Sequence, residues 1–508
     1  MGFSSEATSS GYGLDANAPL LPSVAGSDYH GRRLSSQPKT FANVFIAIVG
    51  AGVLGLPYAF RRTGWAAGAI LLLAVSALTF HCMMLLVRTR CQLNLEHSAK
   101  IASFGDLGLA VAGPLGRLAV DAMIVLSQAG FCIGYLIFIS NSFTHLLPAS
   151  LPFLSSKAIY VLAMLPFQLG LNSIQTLTLL APLSIFADVV NIGAMGVVIA
   201  EDVSIMLSSP PPLNAFSGPS VLLYGIGVAV YAFEGVGMVI PLEAEAADKP
   251  KFGRTLALSM AFIALLYGLF GVLGYAAFGE ETRDIITTNL GVGALSLLIQ
   301  LGLCINLFFT FPVMMNPVFE VAERWVCGKR YCWWLRWAVV VAVSLVATLV
   351  PNFADFLSLV GSSVCVVLGF VLPALFHLKV FGSELGWTGA TVDIAIVIIG
   401  MALAISGTWS SLMAIFNSVQ LDRELTRIGS IGICCFSGLN KFVFKLVIRC
   451  ITSELENDVC EWTKNTVQQI KRWEARQFDS PTAIRIHRPH FPLLSAIHRP
   501  DGSLADLS

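Results

Sequence analysis

The stretch from residue 41 to residue 60, FANVFIAIVGAGVLGLPYAF, is apolar and carries no charge. Its length is enough to cross the ~30 Å hydrocarbon core of a bilayer as one helix. Its middle, however, contains Gly50, Gly52, Gly55 and Pro57, which weaken or interrupt helical hydrogen bonding. Because unpaired backbone groups are costly in lipid, a broken helix is tolerated there only where it is buried in protein or lines a cavity. The stretch therefore predicts a discontinuous membrane helix that binds a ligand at its break.

The composition indicates a polytopic membrane protein. Of its 508 residues 56% are apolar and only 12% are charged, whereas charged residues make up about a quarter of an ordinary soluble domain. The eleven cysteines show no CxxC pairs, so they are predicted to be small buried side chains rather than disulfides or metal ligands. There is no GxSxG, HExxH or Walker motif. We therefore expect neither an enzyme nor an ATP-driven pump, and no cofactor, metal or nucleic-acid partner.

Hydropathy divides the chain into three parts. Residues 1–40 are predicted to be a disordered cytosolic tail, and residues 41–418 a transmembrane transporter domain. Residues 419–508 form a C-terminal tail of unknown role, predicted to be largely disordered or to include a surface helix. The middle part contains eleven predicted spans: 41–60, 66–87, 118–147, 157–171, 177–207, 219–242, 255–279, 290–324, 332–350, 354–378 and 391–418.

The orientation follows from the lysines and arginines in the connections between spans. With a cytosolic N-terminus, fifteen of them lie on the cytosolic side and four on the other side. Positive residues accumulate on the cytosolic side of membrane proteins. The bias predicts a cytosolic N-terminus, and an odd number of spans then places the C-terminus outside the cytosol.

The second half of the chain repeats the interrupted helix. In the segment 231–241, YAFEGVGMVIP, Gly235 and Gly237 are followed by Pro241. Five spans separate the two interruptions, so the second unit enters the membrane from the opposite side, as in an inverted-topology repeat. Half-helix N-termini can bind an anionic group near the midplane, and unwound carbonyls can bind a cation. A zwitterionic amino acid offers both groups.

Several longer motifs carry a family resemblance. They are GAGVLGLPYAF within 43–60, HCMM at 81–84, SQAGFCIGYLIFIS at 127–140, FQLGLNSIQTLTLLAPLSIFAD at 167–188, FEGVGMVIPLE at 233–243, LCINLFFTFPVMMNPVFE at 303–320 and VPNFADFLSLVGS at 350–362. With these motifs the chain resembles the amino acid/auxin permease family, more closely its plant vacuolar neutral amino acid transporters and more distantly the animal proton-coupled amino acid transporters. The resemblance implies an all-α fold of eleven transmembrane helices. Such a fold is a five-plus-five inverted repeat with discontinuous helices 1 and 6, as in the amino acid, polyamine and organocation superfamily.

The resemblance also implies a function and a site. The function is secondary active transport of small neutral amino acids across the vacuolar membrane, in the direction of the cytosol and coupled to protons. The amides of Gly50, Ala51 and Gly52 are expected to hold the substrate carboxylate, although Ala51 lacks the hydroxyl that some relatives have there. The carbonyls of the second break, from Tyr231 to Gly235, are expected near the amino group. Phe233 is expected near the substrate side chain.

Two ionisable residues within the spans are candidates for proton coupling. Burying an ionisable group in the membrane is costly, so such a group is a functional hypothesis by default. Glu234 lies in the second break, and His81, with a reference pKa near 6.5, can titrate in an acidic organelle. In the structural alternative, Glu234 only accepts hydrogen bonds from the unwound backbone, and His81 is an interfacial side chain.

Other polar residues lie in or beside the spans. Asn43, Gln128 and Asn306 are predicted to lie near the pocket, although interhelical hydrogen bonds of about 0.6 kcal/mol each account for many such residues. Asp121, Glu243 and Asp355 lie near span ends, where a solvated or capping role is expected. Two alternatives to proton-coupled transport remain at this point: an amino acid sensor or receptor that uses the same pocket, and a sodium-coupled transporter. The expected partners are amino acids, protons and the bilayer; protein partners are unknown.

Overall fold

The computed structural model describes residues 34–97, 101–146, 157–174, 181–208, 211–290, 293–328, 330–382 and 384–435. The chain divides into two units, residues 1–424 and 425–508, and the helices discussed below lie in the first unit, except for the last eleven residues of α14. The predicted N-terminal tail up to residue 33, and the C-terminal tail from residue 436 on, lie outside the described residues.

The described chain is all-helical, apart from one bridge between Ser35 and Ala246. Its α-helices are α1 (Gln37–Ile48), α2 (Leu56–Thr63), α3 (Trp65–His97), α4 (Phe104–Leu146), α5 (Lys157–Asn172), α6 (Ala181–Ser208), α7 (Leu222–Ala232), α8 (Val239–Glu245), α9 (Lys249–Phe278), α10 (Ala294–Val326), α11 (Trp333–Leu349), α12 (Phe353–Val360), α13 (Leu372–Phe381) and α14 (Trp387–Cys435).

Eight helical segments in the described part are long and apolar enough to cross a membrane, or nine when the bent pair of α1 and α2 counts as one span. Each of the eleven predicted spans overlaps a helix. However, α5 has only 16 residues and α11 only 17, fewer than the roughly 20 that a crossing helix needs. The all-helical membrane fold is therefore confirmed, and the count of eleven crossings stays a prediction.

Helices α1 and α4 start earlier than the hydropathy pattern indicates. α1 begins at Gln37, inside the segment assigned to the tail, with Pro38 in its first turn, where a missing N–H is tolerated. The helix expected from residue 118 begins at Phe104 and is kinked at Gly113, which has a φ of +65°. Pro114 follows the kink and cannot donate to the preceding turn. Polar residues in these first turns hide the helix from a search for apolar runs.

Helix α7 packs backbone to backbone against the helix that begins with α12. A Cβ atom added to Gly361 would overlap the carbonyl oxygen of Gly227, so only glycine permits this contact. Two π-helical segments, Gly361–Cys365 and Val367–Val371, join α12 to α13. Segments of this type are uncommon and are frequent at functional sites.

We expect Gly361→Val to prevent the protein from folding, because its side chain would overlap the backbone of α7. Gly369→Ala is the matched control on the same helix, since a Cβ there would meet only Val236 Cγ2 at 3.6 Å. The yield of monodisperse protein in size-exclusion chromatography measures the effect. A normal yield of Gly361→Val would show that α7 and α12 are not in close contact.

Three carboxylates expected to be solvated or to cap helices are instead buried in ion pairs. Asp121 accepts a hydrogen bond from Arg324 at 2.7 Å. Asp355 accepts one from Arg62 at 3.0 Å, and Glu243 is paired with Arg90. The expectation was wrong for these residues because each forms an ion pair with a residue on a different helix, at least 150 residues away in the sequence. Asp121 also lies 3.7 Å from Arg117 on its own helix. A buried carboxylate needs such a partner.

The cysteines follow the prediction only in part. Cys82, Cys132, Cys304 and Cys365 are buried free thiols, as predicted. Contrary to the expectation of no disulfide, Cys327 and Cys332 are bonded to each other. They lie in the short connection between α10 and α11, which brings their Cα atoms to within 6.7 Å. The two cysteines are five residues apart and do not form a CxxC pair, so their bond was not predicted from the sequence.

Candidate substrate site at the two helix breaks

The discontinuity predicted in the first span is present. Helix α1 ends at Ile48, and Val49 and Gly50 then adopt extended backbone conformations. A 3-10 segment, Ala51–Gly55, leads into α2. The two helical parts are bent by 52° relative to one another. Backbone groups near Gly50 are therefore left without the partners that a continuous helix would provide.

The second predicted discontinuity lies directly after α7. Phe233, Glu234 and Gly235 interrupt the helix, which continues as a 3-10 segment, Val236–Met238, and then as α8. The Glu234 N–H donates to the Tyr231 carbonyl at 3.3 Å. The interruption is only three residues long, so its carbonyls stay close to the ends of both half-helices.

The two breaks touch each other through glycines. A Cβ added to Gly52 would lie 2.9 Å from Tyr231 Cδ1 and 3.0 Å from Ala232 Cα. A Cβ added to Gly235 would lie 2.8 Å from Ile48 Cγ1. Real Cβ atoms essentially never approach other atoms below 3.0 Å. Gly52 and Gly235 are thus the residues that allow the breaks to pack together.

Gly50 differs from its two neighbours. It is half-buried, and no heavy atom lies within 4 Å of the position that its Cβ would occupy, so this side of Gly50 faces open space. Ala51 and Gly52 are buried. Among the three residues expected to hold the substrate carboxylate, Gly50 therefore has the most accessible backbone.

Tyr267 on α9 contacts both breaks. Its hydroxyl donates to the Ile48 carbonyl at 3.3 Å, and its ring lies 5.2 Å from the ring of Phe233. Phe233 is fully buried. Tyr267 thus provides a partner for a backbone carbonyl at the first break. It was not predicted from the sequence, where its only signal is a single hydroxyl in a long apolar run.

Tyr231 forms a wall beside the second break. It is buried, and its ring meets that of Phe131 edge-on with 4.9 Å between the centroids. Its hydroxyl lies on the face of α4 at Gly134, where an added Cβ would be 3.1 Å away. Aromatic side chains therefore lie beside both breaks.

The carboxyl of Glu234 faces α12 and α13. It is half-buried and lies beside the Cys365 thiol, at the end of the first π-helical segment. Within the described residues Glu234 forms no ion pair, in contrast to Asp121, Glu243 and Asp355. A carboxyl without a cationic partner inside a span is a functional candidate. The sequence analysis had treated Cys365 only as a small apolar residue.

The second coupling candidate, His81, lies in a separate cavity of about 610 Å³ between α3, α13 and α14. None of the break residues lines this cavity. His377 Nδ1 lies 2.6 Å from Asp393 Oδ2 there, and both of these side chains are buried. Nε2 of His81 is buried without a hydrogen-bond partner in the described part. The placement of His377 and Asp393 in the same cavity as His81 was not predicted from the sequence.

The three neutral polar residues predicted near the pocket have varied surroundings. Asn43 on α1 and Gln128 on α4 are half-buried. Asn306 on α10 is buried, and its side-chain oxygen accepts a hydrogen bond from the Thr310 hydroxyl at 3.0 Å. Contact of these residues with substrate stays a prediction.

Each half-helix that follows a break is held at its far end by a buried ion pair. Arg62 at the end of α2 pairs with Asp355, and Glu243 at the end of α8 pairs with Arg90. Arg90 is 25 residues along α3, which starts directly after α2. At 1.5 Å per residue the helical rise over this distance is roughly 37 Å. The two ion pairs therefore lie at opposite ends of the bundle.

Comparison with known proteins identifies the family. Residues 33–413 match the family described as transmembrane amino acid transporter protein. Amino acid transporter AVT3C of Arabidopsis thaliana is 61% identical over 438 residues, which is 82% of this chain and 99% of that protein. Amino acid transporter AVT3B of the same plant is 63% identical over 397 residues, 76% of this chain and 95% of that protein. Vacuolar amino acid transporter 3 of Saccharomyces cerevisiae is 28% identical over 415 residues, 75% of this chain and 58% of that protein.

Among solved structures, the nucleobase-cation-symport-1 family transporter MHP1 matches with a TM-score of 0.46 and 14% identity, over 80% of this chain and 95% of that chain. The family match covers most of the chain and includes both breaks. Identity above 60% extends over nearly the full length of the plant relatives. The resemblance found in the sequence is thus confirmed, and the chain belongs to the transmembrane amino acid transporter family, whose members are transporters and not enzymes.

Proposed function

We propose that this protein moves small neutral amino acids across the vacuolar membrane by secondary active transport, exporting them to the cytosol together with protons. The observation that carries the proposal is the contact between the two breaks. Gly50 faces open space in one break, and Glu234 has no cationic partner in the other. A site that combines free amides with a titratable carboxyl suits an amino acid and a proton. The vacuolar assignment rests on the plant and yeast relatives.

The substrate is placed with its carboxylate at the first break. Amides near Gly50 and the start of the 3-10 segment at Ala51 offer donors and the positive end of a helix dipole. The carbonyls from Phe233 to Gly235 accept from the amino group. Phe233, Tyr231 and Tyr267 bound this region and limit the size of the side chain. These aromatic walls favour small neutral substrates.

The ion pairs at the two ends suit alternating access. Opening towards one compartment requires α2 to move and separates Arg62 from Asp355, whereas opening towards the other requires α8 to move and separates Glu243 from Arg90. Because the pairs belong to different half-helices, one can break while the other holds. This arrangement keeps the site from opening to both compartments at once.

Counterflow of labelled alanine in proteoliposomes tests the proposed function. We expect unlabelled alanine inside the vesicles to drive uptake of labelled alanine. Labelled glutamate or lysine should not be taken up. An inward proton gradient should produce accumulation, and a sodium gradient at constant pH should not. Binding of alanine without any flux would contradict transport and favour the sensor. Accumulation driven by sodium alone would contradict proton coupling.

The proposed orientation places the N-terminus in the cytosol and the loop after α9 in the vacuolar lumen. An epitope at Ser5 should be accessible on intact vacuoles. A cysteine introduced at Glu281, which is exposed, should react with an impermeant maleimide only after permeabilisation. The expected reason is the surplus of positive charge on the N-terminal side. Equal accessibility of both positions on intact vacuoles would contradict the odd number of crossings.

Removing one partner of the ion pair at the end of α2 should destabilise the protein more than removing both partners. Arg62→Met leaves the Asp355 carboxylate buried and unpaired, which costs about 3–5 kcal/mol. The double variant Arg62→Met/Asp355→Leu replaces both charges by apolar groups and should recover most of the lost stability. Thermal unfolding in detergent measures both variants. Equal stability of the single and double variants would show that the pair is not a coupled unit.

A further inference from the structure

Asp202 lies six residues before the end of α6. Its side chain is fully buried, and neither carboxyl oxygen has a hydrogen-bond partner in the described part of the chain. An ionised carboxylate without a partner is among the most unfavourable groups that a membrane span can contain. The group must therefore either carry a proton or bind one of the transported species.

The surroundings of Asp202 connect it to the half-helix α2. A Cβ added to Gly274 on α9 would lie 3.4 Å from Asp202 Oδ2 and 2.7 Å from Pro57 Cγ. The carboxyl and the proline ring therefore both lie against the same glycine, and the proline belongs to α2. Movement of α2 would change the packing around Gly274. It would thereby change the access of water to Asp202.

Within the described residues no cation forms an ion pair or hydrogen bond with Asp202, and its neighbour Glu201 has the same sign of charge. The titratable groups on α2 and α9 near this end have other partners: Arg61 with Glu280 and Thr282, Arg62 with Asp355, Tyr275 with Glu280 and Asn214, and Tyr267 with Ile48. Cys304 on α10 is a buried free thiol. Only a small species reaches a fully enclosed carboxyl of this kind, and a proton satisfies it without further ligands.

We propose that Asp202 is a proton-binding site of the transport cycle, and that it takes up and releases its proton at the end of the bundle where Arg61 and Arg62 lie. The bound proton sits on a carboxyl oxygen while α2 packs against Gly274. When α2 moves, water reaches the carboxyl and accepts the proton. Glu234 lies in the other break, so the chain holds two carboxyl sites. This inference rests on the proposed proton-coupled function.

The test is alanine exchange in proteoliposomes with equal pH on both sides, measured from acidic to alkaline pH. All profiles are compared in the Glu234→Gln background, which removes the other proposed proton site. There, the chain with the wild-type Asp202 should lose exchange about tenfold per pH unit above the pH at which the site is half occupied, as the occupancy of a single proton site does. Asp202→Asn is neutral at every pH, so in the same background its exchange rate should change by no more than about twofold over the same range. Glu201→Gln removes the adjacent carboxyl and should retain the wild-type profile.

A wild-type pH profile in Asp202→Asn would overturn the inference, even if transport itself is intact. If the wild type shows no alanine exchange, the proposed function fails, and thermal unfolding still tests Asp202. The wild type should then lose stability relative to Asp202→Asn as pH rises, because the ionised carboxylate is not accommodated. Parallel stability curves would overturn the inference. If Asp202→Asn does not fold, Asp202→Leu, a second neutral variant of similar size, is tested in its place. If neither variant folds, the protein needs the charged form of Asp202.

Discussion

Glu234→Gln is expected to abolish proton-driven accumulation of amino acid while exchange of amino acid continues. Glutamine keeps the shape and the hydrogen-bonding capacity of the side chain, but it cannot bind and release a proton. Each unit of pH difference supplies about 1.4 kcal/mol per proton, enough for about tenfold accumulation at one-to-one stoichiometry. The variant should lose this accumulation in full, because the wild-type Glu234 has no cationic partner that could fix its charge.

The measurement compares uptake from an acidic exterior into neutral vesicles with exchange at equal pH. His81→Gln serves as the control, since His81 lies in a separate cavity with His377 and Asp393. We expect it to weaken the pH dependence at most. Full accumulation by Glu234→Gln, together with its loss in His81→Gln, would assign coupling to the histidine cluster instead. A variant that neither exchanges nor accumulates would assign Glu234 a structural role.

The positions of the two breaks could be predicted from the sequence because they are local features. Glycines at 50, 52, 235 and 237 within apolar runs weaken the helix wherever it is placed, and lipid restricts how such a weakness is tolerated. The motifs that carry the family resemblance contain both breaks, so the two arguments agree. The structure adds that Gly52 and Gly235 form the contact between the breaks.

The partners across the fold could not be predicted in this way. Arg62 and Asp355 are 293 residues apart, and Arg90 and Glu243 are 153 residues apart. Nothing in a single sequence shows which cation meets which carboxylate over such distances. A prediction from the local sequence consequently gave these acids a solvated or capping role. It also missed Tyr267, whose role follows from a contact with Ile48 on a helix 219 residues earlier.

The same limit applies to buried acids without partners. Asp202 and Glu201 are adjacent near the end of a span and resemble an ordinary interfacial pair in the sequence. Only the packing of α6 against α9 distinguishes them, because it buries Asp202 fully against Gly274 and leaves Glu201 half-buried. A hydropathy profile averages the polarity of neighbouring residues, so it does not distinguish Asp202 from Glu201. The polar residues of most functional interest are therefore those that sequence patterns describe least well.

Gly50→Val should lower the affinity for substrate by about tenfold to a hundredfold while leaving folding intact, and this is the second large effect that we expect. The new side chain would enter open space, where no heavy atom lies within 4 Å of its Cβ. The backbone at Gly50 has a φ of −131°, which any residue adopts without strain. A valine there would keep the substrate carboxylate away from the amides of the break. Hydrogen bonds to a charged group contribute about 1.5–3 kcal/mol each, so loss of one lowers affinity by about tenfold to a hundredfold.

Two further substitutions show whether the effect belongs to the site. Gly193→Val on α6 also adds a side chain where nothing lies within 4 Å, but at an exposed position, and should leave transport unchanged. Gly52→Ala adds a Cβ that would lie 2.9 Å from Tyr231, so it should reduce the yield of folded protein as well as transport. Yield is measured by size-exclusion chromatography, and affinity by the concentration dependence of alanine exchange. If Gly50→Val transports normally, the open space beside the first break is not where the substrate carboxylate binds. If the yield of folded Gly50→Val falls in the way expected for Gly52→Ala, Gly50 is a packing residue as well.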